Sequence, residues 1–448
     1  MTLSAQQQEL IRAASRNAIQ NGLERGKQNF WHQREWIPEE NLYKTDCVNQ
    51  LKQVFPQGVT SINCPHLVEY IAASTVVHCF DGWSFLGRAL DAEISGDPDT
   101  AKHLGYYAEL RAAMSLLAGH GIGVFDKKHA IIKEDGSCHL FPKIDGPNKR
   151  YLGTHEFVWE ALQYWGDLQS ARDTLFNSIF PGNIPLGEWL NHYPGSANFV
   201  ASHWLKQWGL DIARIAEDRD ARNVASYRPS AFVSSGSDSV QNAVISVCQL
   251  WELCEPRSQG GFQVMDRHIL RSSLHEAARQ RIDNQGEFND TIQSDVQIIL
   301  NNISPQDLNK SQWQDFLSRD EKHPIFSESA GTLSVNEVGH SRQVLSRALL
   351  LLRVATGSTA TLVKDCGGSK GDLNFWWSGS SVSRRLWSPG SPPDQFSDLW
   401  EDIGEAKDEL IDAANAPDVS YHSIWRQNGQ QLSVLPTTER VALWGLCL

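Results

Sequence analysis

The strongest constraint on the fold is a pair of long helical stripes joined by a short turn. In CPHLVEYIAASTVVHCFDGWSFLGRALDAEISGD, apolar residues recur every three or four positions from Leu67 to Leu90, which is the period of one helix face. Pro65 suits a first helical position. After the GDPD turn, in which Asp97 or Asp99 can cap the next helix, DTAKHLGYYAELRAAMSLLAGHG carries a second stripe, formed by Leu104, Tyr107, Leu110, Met114 and Leu117. These patterns predict an antiparallel helical hairpin.

Other segments complete a mainly helical prediction. SAQQQELIRAASRNAIQNGLERG starts with Ser4 and Gln7 at capping-box spacing and predicts one helix. GIGVFDKKHAIIKEDGSCHLFPKI alternates short apolar runs with turn residues, which predicts a β-hairpin or three-stranded meander at about 121–145. We therefore predict a mainly α, multi-domain helical bundle with a small β insert and an α+β C-terminal part.

The length of 448 residues is enough for about two to four domains. Shifts in pattern divide the chain into four segments: an N-terminal helical arm at 1–60, a helical bundle with the β insert at 61–256, a helical connector at 257–335 and a Trp-rich α+β domain at 336–448.

Composition limits the kinds of partner and compartment. The net charge of −13 argues against a general nucleic-acid coat, because such binding rests on cations that neutralise phosphates. The most apolar run is interrupted by Arg347 and Arg353, the opening MTLSAQQQEL lacks signal-peptide features, and the eight cysteines form no C-x-x-C pair. We expect a cytoplasmic protein with reduced thiols and no membrane contact.

Sixteen tryptophans against three methionines favour large rigid rings in cores and seams. Such rings suit a protein that docks on a protein partner or on a second copy of itself, and large cores account for them equally well. Both interpretations stay open at the level of sequence.

Two stretches resemble a known superfamily. YYAELRAAMSLLA in the second hairpin helix and RNVASY at the end of a later helix are similar to the HEPN superfamily of helical nucleotide-binding and RNA-cleaving domains, over at most residues 61–256. Many members carry an arginine, often followed by a polar residue such as asparagine, and then a histidine four to six positions beyond. Arg222 and Asn223 match this motif, whereas Tyr227 stands at the histidine position.

The resemblance implies a component of a bacterial defence or toxin-type system that binds RNA, or cleaves it without metal. In such a pair, the arginine fork holds a phosphate and the histidine carries a proton. Tyrosine, with an ordinary pKa of about 10, accepts a proton poorly, so another group such as His78, His103 or His120 would have to substitute. The candidate catalytic residues are Arg222, Asn223, Tyr227, His78 and Glu109.

These residues also have structural interpretations. Arginines near a helix C-terminus interact favourably with the helix dipole, and Tyr227 can simply pack. His78 and Asp81 lie three positions apart and can bond to each other on one helix face. A buried Glu109 paired with Arg222 would be a structural ion pair.

A second candidate site is a local excess of positive charge near the C-terminus. Between 340 and 390 there are seven basic and two acidic residues, interleaved with tryptophans, a composition typical of single-strand binding surfaces. The candidate nucleic-acid-binding residues are Lys370, Trp376, Trp377, Arg384 and Arg385. The alternative is a core edge whose arginines pair with the acidic run at 394–405.

No metal or cofactor is predicted. The cysteine–histidine groups at 64–66, 78–79 and 138–139 lack zinc-site spacing. GHGIGVF follows a helix rather than a strand, and CGGSKGD lacks the order of a phosphate loop. The sequence therefore favours a HEPN-like RNA-binding scaffold and leaves its cleavage activity open, with a non-catalytic interaction subunit as the alternative.

Overall fold

The computed structural model describes residues 3–32, 34–144, 149–193, 196–211, 214–215, 217–220, 223, 239–256, 261–282, 288–303, 309–331 and 340–446. The first helices are α1 (Ala5–Arg12), α2 (Arg16–His32), α3 (Cys47–Val54), α4 (Pro65–Ile94) and α5 (Pro98–Gly119). The central helices are α6 (Thr154–Gly166), α7 (Gln169–Ser178), α8 (Leu186–Asn191), α9 (Ser196–Gln207) and α10 (Val240–Leu253).

The remaining helices follow the same chain order. They are α11 (Gln263–Arg279), α12 (Phe288–Asn302), α13 (Lys310–Ser318), α14 (Pro324–Ser329), α15 (His340–Asp365), α16 (Asn374–Ser383), α17 (Glu401–Ala414), α18 (Tyr421–Gln427), α19 (Gly429–Val434) and α20 (Glu439–Gly445). Short 3-10 turns lie at Pro181–Asn183, Lys370–Leu373 and Phe396–Trp400. The mainly helical class is therefore confirmed.

One small antiparallel sheet interrupts the helices. Its strands are β1 (Ser61–Asn63), β2 (Ile122–Gly123), β3 (Ala130–Ile132) and β4 (Ser137–Leu140), in the order β1-β4-β3-β2. The predicted meander supplies β2 to β4, and β1 joins its edge by pairing Ile62 with Cys138. The described C-terminal residues 340–446 contain helices and turns without a strand, so the strand content expected there is not found in them.

The local end signals act as predicted. Ser4 and Gln7 form a capping box at the start of α1, Pro65 opens α4, and the Asp97 side chain accepts the Thr100 amide at the start of α5. These contacts satisfy amides that a helix leaves unbonded in its first turn.

The single helix predicted at the N-terminus is instead two helices. The Ser15 amide donates to the Ile132 carbonyl of β3 at 2.9 Å, and the Ser15 hydroxyl accepts the Ala18 amide at 3.2 Å. A contact with the distant sheet therefore ends α1 and caps α2.

The α4/α5 hairpin packs directly against α15. Glycines permit the close approach: a Cβ at Gly82 would lie 2.6 Å from Leu352, and one at Gly105 would lie 3.0 Å from Val344. A continuous hydrophobic core reaches from Leu3 to Leu446 and includes residues of all four predicted segments. The last helices are thus part of the same core as the hairpin.

Most of the tryptophans lie in this core. Ten of them are buried: Trp83, Trp159, Trp165, Trp189, Trp204, Trp208, Trp251, Trp313, Trp377 and Trp444. Among the described tryptophans, Trp425 is the exposed one. The large number of rings is therefore used mainly to fill the interior.

A buried histidine joins the sheet to α6 and makes stability depend on pH. The His129 ring stacks on Phe157 with 3.8 Å between centroids, Nδ1 accepts the Phe125 amide at 3.1 Å, and Nε2 donates to the Leu152 carbonyl at 3.0 Å. Burial lowers the pKa of His129 from 6.5 to about 4. Protonation would charge a buried ring and remove the acceptor of the Phe125 amide.

Because the folded-state pKa lies below the unfolded value, we expect His129 to contribute fully above pH 6.5 and to lose that contribution as the pH falls towards 4. The loss should approach about 3 kcal/mol. Urea unfolding at pH 7 and pH 4.5 checks this. His129→Gln should lower the free energy of unfolding at pH 7 and reduce the difference in that free energy between the two pH values. The exposed His422→Gln serves as the control; equal pH dependence in wild type and His129→Gln would contradict the prediction.

Candidate functional site

Two stripes of polar and aromatic side chains lie on the outer side of the α4/α5 hairpin. We call them the hairpin face: His78, Asp81, Phe85 and Arg88 on α4 with His103, Tyr107 and Arg111 on α5. Within each helix the members are three or four residues apart, so they share one side. All are partly or fully exposed, while the opposite side of each helix is buried in the core.

A row of three rings on this face ends at a cation. The Arg88 guanidinium lies 4.3 Å from the centroid of the Phe85 ring. Phe85 stacks on Tyr107 at 5.4 Å, and Tyr107 contacts His103 at 5.2 Å. The helices hold these rings at fixed positions, because α4 and α5 are anchored in the core by their opposite sides.

Arginine side chains converge at Asp81. The Arg111 Nη1 atom lies 3.7 Å from the Asp81 carboxylate, and the two side chains are 31% and 39% exposed. Burial raises the pKa of Asp81, while the positive charges of Arg111, Arg88 and Arg384 act in the opposite direction. Three guanidinium groups therefore lie around Asp81, and because Arg384 also pairs with Glu439, an excess of one positive charge remains.

His78 is held as a neutral ring. Arg111 Nη1 donates to His78 Nδ1 at 2.8 Å, so the ring proton of the neutral form lies on Nε2. Desolvation and the neighbouring Arg111 charge lower the pKa of His78 to about 3. At neutral pH the ring is a poor proton acceptor, and it positions the guanidinium of Arg111. The predicted bond between His78 and Asp81 is replaced by their shared contact with Arg111.

Residues predicted from two separate parts of the sequence meet beside this face. Trp376 packs edge-on against Phe80 of α4 with 4.5 Å between ring centroids. The positive charge of Arg384 acts to lower the pKa of Asp81. The Arg384 side chain is 46% exposed and lies 3.2 Å from the Glu439 carboxylate. Its partner is therefore on α20 rather than in the acidic run at 394–405.

The other predicted nucleic-acid-binding residues differ in exposure. Trp377 is 1% exposed and packs against Phe396 at 5.2 Å, so a base has no access to its ring in this conformation. Arg385 is exposed and has a left-handed backbone with φ of 60°. The side chain of Lys370 lies outside the described part of the chain.

The HEPN-like motif falls largely outside the described residues. Arg222 and Tyr227 are not among them, and Asn223 is described as a partly buried residue. Their assignment as catalytic residues therefore stays a prediction.

Glu109 belongs to a buried ion cluster. Its Oε1 accepts from Arg347 Nε at 3.1 Å, and Arg347 Nη2 also bonds to Asp218. Burial and the nearby Asp218 carboxylate raise the pKa of Glu109 to about 8, against the opposing Arg347 charge. All three side chains are at most 3% exposed, so the cluster connects α5, α15 and the helical residues 217–220 inside the protein.

A second buried pair crosses the interior nearby. Arg353 Nε and Nη2 donate to the two Asp266 carboxylate oxygens at 2.7 and 2.8 Å. Two of the arginines counted in the basic C-terminal segment, Arg347 and Arg353, are thus internal. This part of the predicted surface charge is inaccessible to an outside ligand.

Known proteins give no guide to this chain, since comparisons with family models, curated proteins and solved structures find no match. Within the described ranges, no three His, Cys, Asp or Glu side chains are grouped to hold a metal ion. Nor does any described helix combine the length and apolar character needed to cross a membrane.

The sequence interpretation missed three central residues of the hairpin face. These are Phe85, Arg88 and Arg111, although Phe85 and Arg88 continue the spacing of His78 and Asp81 along α4. Tyr107 belongs to the apolar stripe predicted for α5 and is partly exposed instead. The sequence signal that could have found them is the second set of residues at three- and four-residue spacing along α4, on the side of the helix opposite its leucines.

Proposed function

We propose that this protein binds single-stranded RNA across the hairpin face. The observation that carries the proposal is a row of rings, Phe85, Tyr107 and His103, with the guanidinium groups of Arg88 and Arg111 on the same face of a packed pair of helices. Single-stranded nucleic acids bind to such surfaces because bases stack on rings while cations follow the phosphates. The resemblance of the α5 sequence to HEPN domains supports RNA as the strand, and a defence or toxin-type system as its setting.

Binding without cleavage at this face fits the chemistry of its side chains best. Metal-independent RNA cleavage needs a group that takes the 2′-hydroxyl proton. The basic nitrogen of His78 is already occupied by Arg111, and its low pKa makes it a weak base. Arg111 remains suited to hold a phosphate, because a guanidinium keeps its charge and offers several donors.

Arg88→Ala and Arg111→Ala should each weaken RNA binding about tenfold and make it less dependent on salt, by roughly 0.7 in the log–log slope for each phosphate that the variant no longer neutralises. Phe85→Ala should weaken it roughly 5- to 150-fold, because a base can no longer stack on that ring. Fluorescence anisotropy with a labelled oligouridine strand at several salt concentrations measures these changes.

A matched control is present on α7. Arg172 lies over the Phe176 ring at 5.2 Å and is not part of the hairpin face, so Arg172→Ala should leave RNA affinity within twofold of wild type. If the strand fails to bind wild-type protein at low salt, or Arg172→Ala weakens binding as much as Arg88→Ala does, the proposal is wrong.

The same preparations test cleavage. We expect the strand to stay intact during incubation with wild-type protein in EDTA. Cleavage that disappears in His78→Ala would assign the histidine a catalytic role and overturn binding without cleavage, whereas cleavage that disappears only in Arg222→Ala would support the HEPN-like motif.

A further inference from the structure

A groove beside the sheet has the properties of a second anion site, separate from the hairpin face. It has a volume of about 600 Å³ between α1, strand β4 and the described residues at 142–144 and 149–151, within the ~300–1,000 Å³ typical of small-molecule sites. Lys133, Lys143 and Lys149 line it together with His139 and Tyr151. We call it the lysine groove.

Its walls are held in place by backbone contacts. The Gln7 side chain donates to the Pro142 carbonyl at 3.3 Å, which attaches α1 to one rim. On the floor, the Leu140 amide donates to the Thr60 carbonyl at 2.9 Å, and on the far side the Ile144 amide donates to the Arg150 carbonyl at 2.9 Å. These bonds hold the described walls of the groove together.

The positive charge inside it is only partly balanced. In the described part of the chain, no carboxylate lies within 4 Å of the amine of Lys133, Lys143 or Lys149. Among the described residues that line the groove, Glu9 is the acidic one, and the Asp135 carboxylate interacts electrostatically with Lys133 from outside it, so three positive charges face two negative ones.

Nearby acidic side chains bond elsewhere. The Glu134 carboxylate accepts from the Ser15 hydroxyl and from Asn17 at 3.0 Å. Asp135 accepts the Ser137 amide at 2.9 Å, and Glu156 forms two bonds to Arg150 at 2.6 and 2.7 Å. These pairings explain why the lysines remain accessible to a ligand.

An aromatic ring completes the site. The Lys143 amine lies 5.1 Å from the centroid of the Tyr151 ring, which places a cation beside a flat apolar surface. Lysines bind phosphate groups as point charges, and a tyrosine ring packs well against a planar or sugar ring. We propose that the lysine groove binds a small organic polyphosphate, with its phosphate groups on Lys133 and Lys149 and its ring on Tyr151.

Isothermal titration at low ionic strength in EDTA tests the groove with pyrophosphate, ATP and adenosine as probes. Pyrophosphate and ATP should bind, ATP at least fivefold more tightly, and adenosine at least a hundredfold more weakly than ATP. The Lys133→Ala/Lys149→Ala variant should bind ATP at least tenfold more weakly, and Tyr151→Ala should reduce ATP affinity to that of pyrophosphate.

The matched control is Lys52→Ala/Lys310→Ala, which removes two exposed lysines with the same change in net charge and should bind ATP like wild type. The proposal fails if ATP does not bind, if adenosine binds as tightly as ATP, or if both double variants lose the same affinity. Circular dichroism confirms folding of each variant. Oligouridine binding should be unchanged in the lysine variant, so this test and that of the hairpin face fail independently.

Discussion

Arg347→Met is expected to lower the free energy of unfolding by about 3–5 kcal/mol, because it leaves two buried carboxylates without their cation. Glu109 and Asp218 both bond to this guanidinium, and all three side chains are almost completely buried. Water cannot reach the Asp218 carboxylate, and the buried Glu109 carboxyl, whose pKa is raised to about 8, loses the guanidinium that donates to it. Urea unfolding followed by circular dichroism measures the loss.

Two further variants identify its cause. Arg150→Met breaks an exposed ion pair with Glu156 and should lower stability far less, because solvent screens exposed charges. Adding Glu109→Gln and Asp218→Asn to Arg347→Met should recover a large part of the loss, since neutral amides are less costly to bury than charges. An Arg347→Met protein as stable as Arg150→Met would contradict this account of the core.

Gly87→Ala should destabilise the protein by about 3 kcal/mol or more, although alanine is the better helix former by up to ~1 kcal/mol. A Cβ on Gly87 would lie 2.0 Å from the Pro436 carbonyl oxygen and 2.7 Å from Thr438 Oγ1. Because the first of these atoms is backbone, α4 and the segment before α20 would have to separate. That movement would also break the bond from the Thr438 hydroxyl to the Trp83 carbonyl.

Gly379→Ala provides the opposite case. Gly379 lies in α16, is exposed, and a Cβ there would have no neighbour within 4 Å. Helix propensity alone should then stabilise the protein by up to ~1 kcal/mol. The melting temperatures of the two variants should shift in opposite directions. If both shift in the same direction, the close contact with Pro436 does not restrict the side chain at position 87.

Features set by neighbouring residues could be predicted from the sequence, and features set by distant contacts could not. The capping box of Ser4 and Gln7 and the cap at Asp97 depend on residues three positions away. The break at Ser15 depends on a bond to Ile132, and no local pattern contains that partner. For the same reason the short strand β1, which pairs with β4, was not predicted.

The charged residues follow the same rule. Arg347 lies in an apolar stretch, where an arginine suggests a surface position, yet Glu109 and Asp218 from other parts of the chain neutralise it inside the core. On the hairpin face, His78 could be named from its residue type. Arg88 and Arg111 lie on different helices, and only the packing of α4 against α5 brings them onto one face.

The packing of α15 against α4 and α5 has a consequence for synthesis on the ribosome. The hairpin is synthesised long before His340, the first residue of α15. Its apolar inner side is therefore uncovered by α15 until much later in synthesis. Contacts between residues far apart in sequence form slowly, and apolar surface that is exposed in the meantime promotes aggregation. We therefore expect nascent chains that stop before α15 to associate with chaperones, and full-length chains to be released once that helix has docked.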